Sequence, residues 1–96
     1  MARVVLSPRA KDDLDRLIAT RSLPPTTRER VRQSLRPLAA FPHMGARLHG
    51  RWEGYRLVFG PWRWMIVVDH VDDAAEVVGV VTIQDARMSR AATSER

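Results

Sequence analysis

The chain has 96 residues, 45% hydrophobic and 28% charged, a size and balance that fit one globular domain with a modest core and exclude intrinsic disorder. It has no cysteine, which rules out a disulfide framework and a cysteine-based zinc site, and its longest apolar runs (Met65–Val68 and Val77–Val81) are too short to cross a bilayer. The formal net charge is +5, and of the sixteen cations only Lys11 is a lysine, so the surface is rich in a side chain suited to bidentate contacts with phosphate or carboxylate.

In chain order, residues 2–6 (ARVVL) read as a short strand. The opening MARVVLSPRAKDD meets charge and proline before any long apolar stretch, so no secretory signal is expected and the cytoplasm is the expected compartment. Ser7-Pro8 marks a helix start, serine as N-cap and proline at the first helical position, where a missing N–H costs nothing. Asp12, Asp13 and Asp15 are expected to favour the positive end of that helix. Ala10, Leu14, Leu17 and Ile18 recur at helical spacing and predict a helix ending near residues 20–22. Leu23-Pro24-Pro25 breaks the chain, and Thr26-Thr27-Arg28-Glu29 has the capping-box pattern for a second helix. Val31, Leu35 and Leu38 form its apolar stripe, and Arg28, Arg30, Arg32 and Arg36 decorate the rest. Pro37 would cost about 3 kcal/mol inside a helix, so the helix should end or kink near Arg36, with residues 37–41 a further turn.

After the connector 41–45 the apolar period changes to two. Tyr55, Leu57 and Phe59 alternate with Arg56 and Val58, and Gly60-Pro61 supplies a turn. Trp62, Trp64, Ile66 and Val68 then alternate with Arg63, Met65 and Val67. Asp72-Asp73 is the next turn, and the nearly continuous run from Val77 to Ile83 predicts a strand covered on both faces. The expected class is α+β, in the order β-α-α-β-β-β, with a helical hairpin packed on one face of a small antiparallel sheet. Residues 1–90 form a single expected domain and residues 91–96 a flexible C-terminal tail.

Charge is unevenly spread. Residues 1–60 carry twelve cations against five acids and residues 61–96 four against six, so a basic face turned toward nucleic acid or an acidic partner is expected. Arg47, His49 and Arg51 alternate, and on an extended segment they would share one phosphate-contacting face. A histidine can serve as acid or base near neutral pH, and His49 is the best-placed one for proton transfer; His43 follows Pro42 and His70 lies beside the Asp72-Asp73 turn. The three histidines are too scattered for a metal site, so no metal or cofactor is expected. Tyr55 and Trp64 read as half-buried core, and Trp52, between Arg51 and Glu53, as the ring most open to a base.

The element order, the opening strand followed by Ser7-Pro8-x-Ala10-x-x-Asp13-Leu14, and the second helix ending in Leu38-x-x-x-Pro42 before Gly45 and Leu48 resemble the RelE/ParE superfamily of toxin–antitoxin toxins. The paired-strand signature Gly54-Tyr55-Arg56-Leu57, then Trp62-Arg63-Trp64-Met65-Ile66, is the strongest part of that resemblance. It implies the toxin of a type II pair, with a cognate antitoxin presenting an acidic or amphipathic docking segment. RelE-like members cleave mRNA on the ribosome without a metal; ParE-like members poison DNA gyrase. The cleaving reading is the first expectation, and the gyrase reading or a non-toxic binding module the alternatives.

Cleavage without a metal needs a base for the 2′-hydroxyl, cations for the phosphate and an acid for the leaving oxygen. By motif, the resemblance assigns Arg63, Arg56 and Arg87 to the catalytic set, with His49 in proton transfer and Arg47, Arg51 and Trp52 holding RNA. Two departures weaken it. Val58 stands where many ribonuclease members carry a second basic residue, and no Tyr, Lys or His follows Ile83.

Overall fold

In a computed structural model, which describes residues 1–88, 91 and 92, the chain opens with β1 (Arg3–Leu6) and α1 (Pro8–Thr20). Helices α2 (Thr27–Leu35) and α3 (Pro37–Ala40) follow, separated at Arg36–Pro37 as the proline requires. Then come β2 (Ala46–Arg47), a single 3₁₀ turn at Gly50–Trp52, β3 (Arg56–Phe59), β4 (Met65–Asp72) and β5 (Val77–Asp85). The strands form one five-stranded sheet in the order β1-β5-β4-β3-β2.

The expected α+β architecture with a helical hairpin on a sheet is present. The sheet itself is mixed rather than wholly antiparallel: β1 runs parallel to β5, while β5, β4, β3 and β2 form the antiparallel meander. Intervening helices and hairpins bring β1 and β5 together from opposite ends of the chain, and hydrophobic periodicity carries no information about that pairing. β2 is a strand of two residues, too short for any period to reveal.

One core lies between the helices and the sheet. Ala10, Leu14 and Leu17 of α1 and Val31, Leu35 and Leu38 of the second helical segment meet Val58, Met65, Val67, Val78 and Val80. A smaller cluster covers the other face, where Leu57, Ile66 and Val68 pack under Ala91 and Ala92. Those two alanines, placed in the expected flexible tail, are therefore buried; residues 89, 90 and 93–96 lie outside the described residues. With both faces covered, β4 is buried over five consecutive residues, Met65–Asp69.

Local chemistry at the helix starts differs in part from the sequence expectation. Ser7 caps α1, accepting from Ala10 N at 3.0 Å, and its hydroxyl also donates to Val81 O at 3.1 Å. No acidic residue falls in the first turn of α1, and Asp13 instead turns to the sheet. Its Oδ2 accepts from Thr82 Oγ1 at 2.5 Å and from Ile83 N at 3.2 Å. The register of β1 ends at Leu6 opposite Val80, so Ser7 and Asp13 bond the stretch of β5 that, among the described residues, has no further strand on that side. At α2 the capping box does not form. Thr26 already has helical φ and ψ of −80° and 0° and makes no side-chain cap bond, while buried Thr27 donates to Pro24 O at 2.7 Å.

Ser7 thus ties the start of α1 to the C-terminal half of β5. Ser7→Ala should cost about 1–2 kcal/mol in urea unfolding, at or above the usual loss of an N-cap. A loss below a few tenths would show that the Val81 contact contributes nothing.

Candidate functional site

The residues singled out from sequence fall at four places around the sheet. Arg56 begins β3 and stands opposite Asp69 of β4, with Val58 opposite Val67 two residues on, so Arg56 points to the helix-covered face. Its Nη1 donates to His43 O and Gly45 O, both at 3.2 Å, pinning the 41–45 connector. Arg47 stands directly opposite Arg56 and shares that face at the sheet's edge. Asp69 is fully buried, and neither carboxylate oxygen has a hydrogen-bond partner. Burial drives its pKa up from 3.8 to about 6, against the opposing pull of Arg56, His70 and His43.

Arg51 and Trp52 lie on the 3₁₀ turn, and His49 precedes it. The extended strip Arg47-His49-Arg51 is therefore not formed: the chain leaves the strand after Arg47 and coils. Trp52 is half-buried rather than open, meeting Tyr55 edge-on at 5.8 Å, and its indole N–H is buried without an acceptor. Arg51, Trp52 and Tyr55 line one wall of a groove of about 630 Å³, with Arg9, Asp13 and Arg16 of α1 on the other. His43 pairs with Asp73 at 2.8 Å, and His70 lies 5.7 Å from the Tyr55 ring.

Arg63 sits in the turn between β3 and β4, not on a strand. β4 begins only at Met65 because Gly60 N bonds Met65 O at 2.9 Å and Met65 N bonds Trp62 O at 3.0 Å, which leaves residues 61–64 as the loop. Met65 and Val67, expected beside Arg63, are buried under the helices. The Arg63 guanidinium lies 6.0 Å from the Phe59 ring. Phe59 shares the pleat face of Leu57, opposite to that of Arg56, about 10 Å along the strand.

Arg87 is held by the buried carboxylate of Asp85. Its Nε and Nη2 donate to the two carboxylate oxygens at 3.0 Å each, and its backbone N–H adds a bond of 2.9 Å. Arg21, at the end of α1, grips the same carboxylate. The Arg87 hydrogen bonds, ahead of the opposing effect of burial, hold the Asp85 pKa below the usual carboxylate range. From sequence, Asp69 is a candidate ion-pair partner of Arg56, but Arg56 bonds main-chain carbonyls instead; Arg21 belongs to no motif, and the only sequence sign of Asp85 is an acid at the end of a central strand with an arginine two residues on.

A family model described as the ParE toxin of type II toxin–antitoxin systems matches residues 4–90, nearly the whole chain. The chain belongs to this family. No curated protein matches this toxin significantly in sequence. Solved structures agree on the fold. The toxin resembles a chain of the chromosomal ParDE system of Pseudomonas aeruginosa at TM-score 0.69 and 14% identity, covering 91% of this chain and 98% of that one. It resembles the isolated RelE toxin of Escherichia coli at 0.64 and 21%, covering 98% and 94%. A chain of the RelBE2 toxin–antitoxin complex of Mycobacterium tuberculosis matches at 0.64 and 17%, covering 88% and 90%. The toxin is thus a RelE/ParE-superfamily member, and among its described residues no helix is long and apolar enough to cross a membrane.

Within the toxin, the two buried carboxylates respond to pH in opposite senses. Asp69, with its pKa raised, contributes stability at low pH that is lost as pH rises from about 4 through about 6. Asp85, with its pKa lowered, contributes stability above the ordinary carboxylate range that is lost only on acidification. Between pH 4 and 7, Asp69→Asn should gain about 2 kcal/mol on the native chain in chemical denaturation. Parallel stability profiles over that window would mean that Asp69 ionises normally.

Proposed function

We propose that this toxin acts in the cytoplasm by binding an acidic protein target of the gyrase kind, without catalysis, and that a cognate antitoxin neutralises it. The observation that carries this reading is the separation and internal commitment of the arginines expected to share one phosphate. Arg56 holds main-chain carbonyls on one face of the sheet, Arg63 lies on the other, and Arg87 is bound by Asp85. Phosphoryl chemistry without a metal depends on base, acid and cations converging on one group to within hydrogen-bond distance. Val58, at the second basic position of the ribonuclease pattern, is a core residue under the helices. Binding needs no such convergence; it needs cations displayed around a rigid frame, which this sheet supplies.

The antitoxin has a fitting berth. Among the described residues the outer edge of β1 carries no strand, and beside it a groove of about 910 Å³ runs between β1 and the α1–α2 hairpin. Its floor is apolar, including Val4 and Leu6, and Lys11, Arg32 and Arg36 stand along it. An acidic, amphipathic segment matches both features, adding backbone bonds at the edge and carboxylates at the rim. Several of the solved relatives are toxin–antitoxin complexes, including the intact E. coli RelBE complex.

The mRNA-cleaving reading retains one supporting observation. Arg9, Arg16, Arg51, Trp52 and Tyr55 line the groove of about 630 Å³, a mixture of cations and rings suited to a nucleotide chain. In that reading Arg63, Arg56 and Arg87 would steady the phosphate and His49 would move the proton.

Induction without antitoxin decides between the two. Filamentation and double-strand DNA breaks with intact mRNA are the expected outcome. Ribosome-dependent mRNA loss that drops by about 100-fold or more in Arg63→Ala would replace this reading with the enzymatic one. Separately, Arg32→Glu with Arg36→Glu should weaken antitoxin binding by about tenfold or more at low salt while leaving the thermal midpoint nearly unchanged. Unaltered affinity would remove the β1 groove as the berth.

A further inference from the structure

At the end of the sheet where β5 finishes and β4 begins, arginines flank a stacked pair of indoles. The Arg30 guanidinium lies 4.7 Å from the centroid of the Trp62 ring. Trp62 stacks on Trp64 at 5.7 Å with only 8° between the planes. Trp64 in turn has Arg87 at 5.2 Å and Arg21 at 5.8 Å. Four separate segments, the end of α1, α2, the 61–64 turn and the end of β5, build this ladder. Both indoles also pack against the main core, so the platform is fixed from below.

We infer that this ladder is a docking ledge for the carboxylates of an acidic polypeptide. A guanidinium lying against a ring keeps its N–H edges turned outward, in a planar fork whose spacing fits a carboxylate. The molecule contains an example of the match: Asp85, fully buried, is taken by Arg87 through two parallel bonds and by Arg21 as well. The Arg30 guanidinium lies over Trp62 and contacts no carboxylate among the described residues. With three ladder arginines against one acid, the ledge carries net positive charge.

The stacking also argues against RNA as the guest. Nucleic acids bind such surfaces largely by laying bases on aromatic faces. Here Trp62 is stacked between Arg30 and Trp64, and Trp64 is approached by Trp62 and two arginines, so the faces that a base would use are engaged. What the ledge offers is guanidinium edges, which recognise carboxylates. The inference holds for any acidic protein partner and does not depend on gyrase being the target.

The test uses the full chain and a ten-residue glutamate-rich peptide, followed by tryptophan fluorescence. The peptide should shift the emission, with affinity falling as salt rises. Arg30→Gln should weaken it by about tenfold with an unchanged thermal midpoint, and Arg30→Lys should restore only part, because charge returns without the planar fork. A glutamine-rich peptide of equal length should not bind. The inference is overturned if the glutamate peptide fails to bind, or if Arg30→Gln and Arg30→Lys bind it as the native chain does. It is equally overturned if an oligouridylate of equal charge binds more tightly and loses that affinity in Arg30→Gln, which would make the ledge a nucleic-acid site.

Discussion

Five consecutive residues of β4 have no solvent on either side, and this double burial decides where a cation can stand. Helices cover one face through Leu14, Val31 and Leu35, and Ala91 and Ala92 cover the other. A guanidinium placed in the middle of such a sheet would be desolvated with no room for a partner, at a cost of several kcal/mol. Arginine is therefore confined to strand ends, turns and helix surfaces. Arg56 stands at the start of β3, Arg63 in the turn before β4, and Arg87 just beyond β5. The same burial that makes the fold stable scatters its cations round the rim.

The two acids buried among the strands show what the rim makes possible. Asp85 sits at the very end of β5, within reach of Arg87 and of Arg21 from α1, and its charge is held by directed hydrogen bonds. Asp69 lies deeper, at the β-bulge where the β4–β5 register shifts after Val68, with Arg56 across the strand pair but bonded elsewhere. Its oxygens have no partner, so attraction at a distance only partly offsets desolvation. A difference of position along one sheet turns the same side chain into an anchor in one case and a titrating group in the other.

Much of this architecture was legible because it rests on local periodicity. The 3.6-residue stripe of Ala10, Leu14 and Leu17 and the continuous run in β5 each name their burial directly. Pro37 marked the break between α2 and α3 for an equally local reason. Alternation misled at Trp62 and Trp64, which continue the pattern of Ile66 and Val68 yet belong to a turn closed by Gly60 and Met65. Two of their partners, Arg30 on α2 and Arg21 just past α1, lie more than thirty residues away, where no spacing rule reaches. Trp52 failed differently: charged neighbours suggested exposure, but the 3₁₀ turn rolls the ring onto Tyr55. For the site, residue types were readable and their convergence was not, since convergence is a property of the sheet's two faces.

Helix α2 separates the two anion-seeking surfaces. Arg28, Arg32 and Arg36 follow one another at four-residue spacing and line the groove beside β1, while Arg30, about 200° round the helix from Arg28, lies on Trp62. A segment seated beside β1 would therefore leave the Arg30 ledge sterically open. For an antitoxin in that groove to block a partner on the ledge, it must either continue round the end of α2 or change how α2 sits on the core. The second route has to disturb Val31 and Leu35, both almost fully buried, and so works against the packing that holds the helix. Physical economy favours the first: a chain long enough to wrap α2 and acidic along both of its arginine faces.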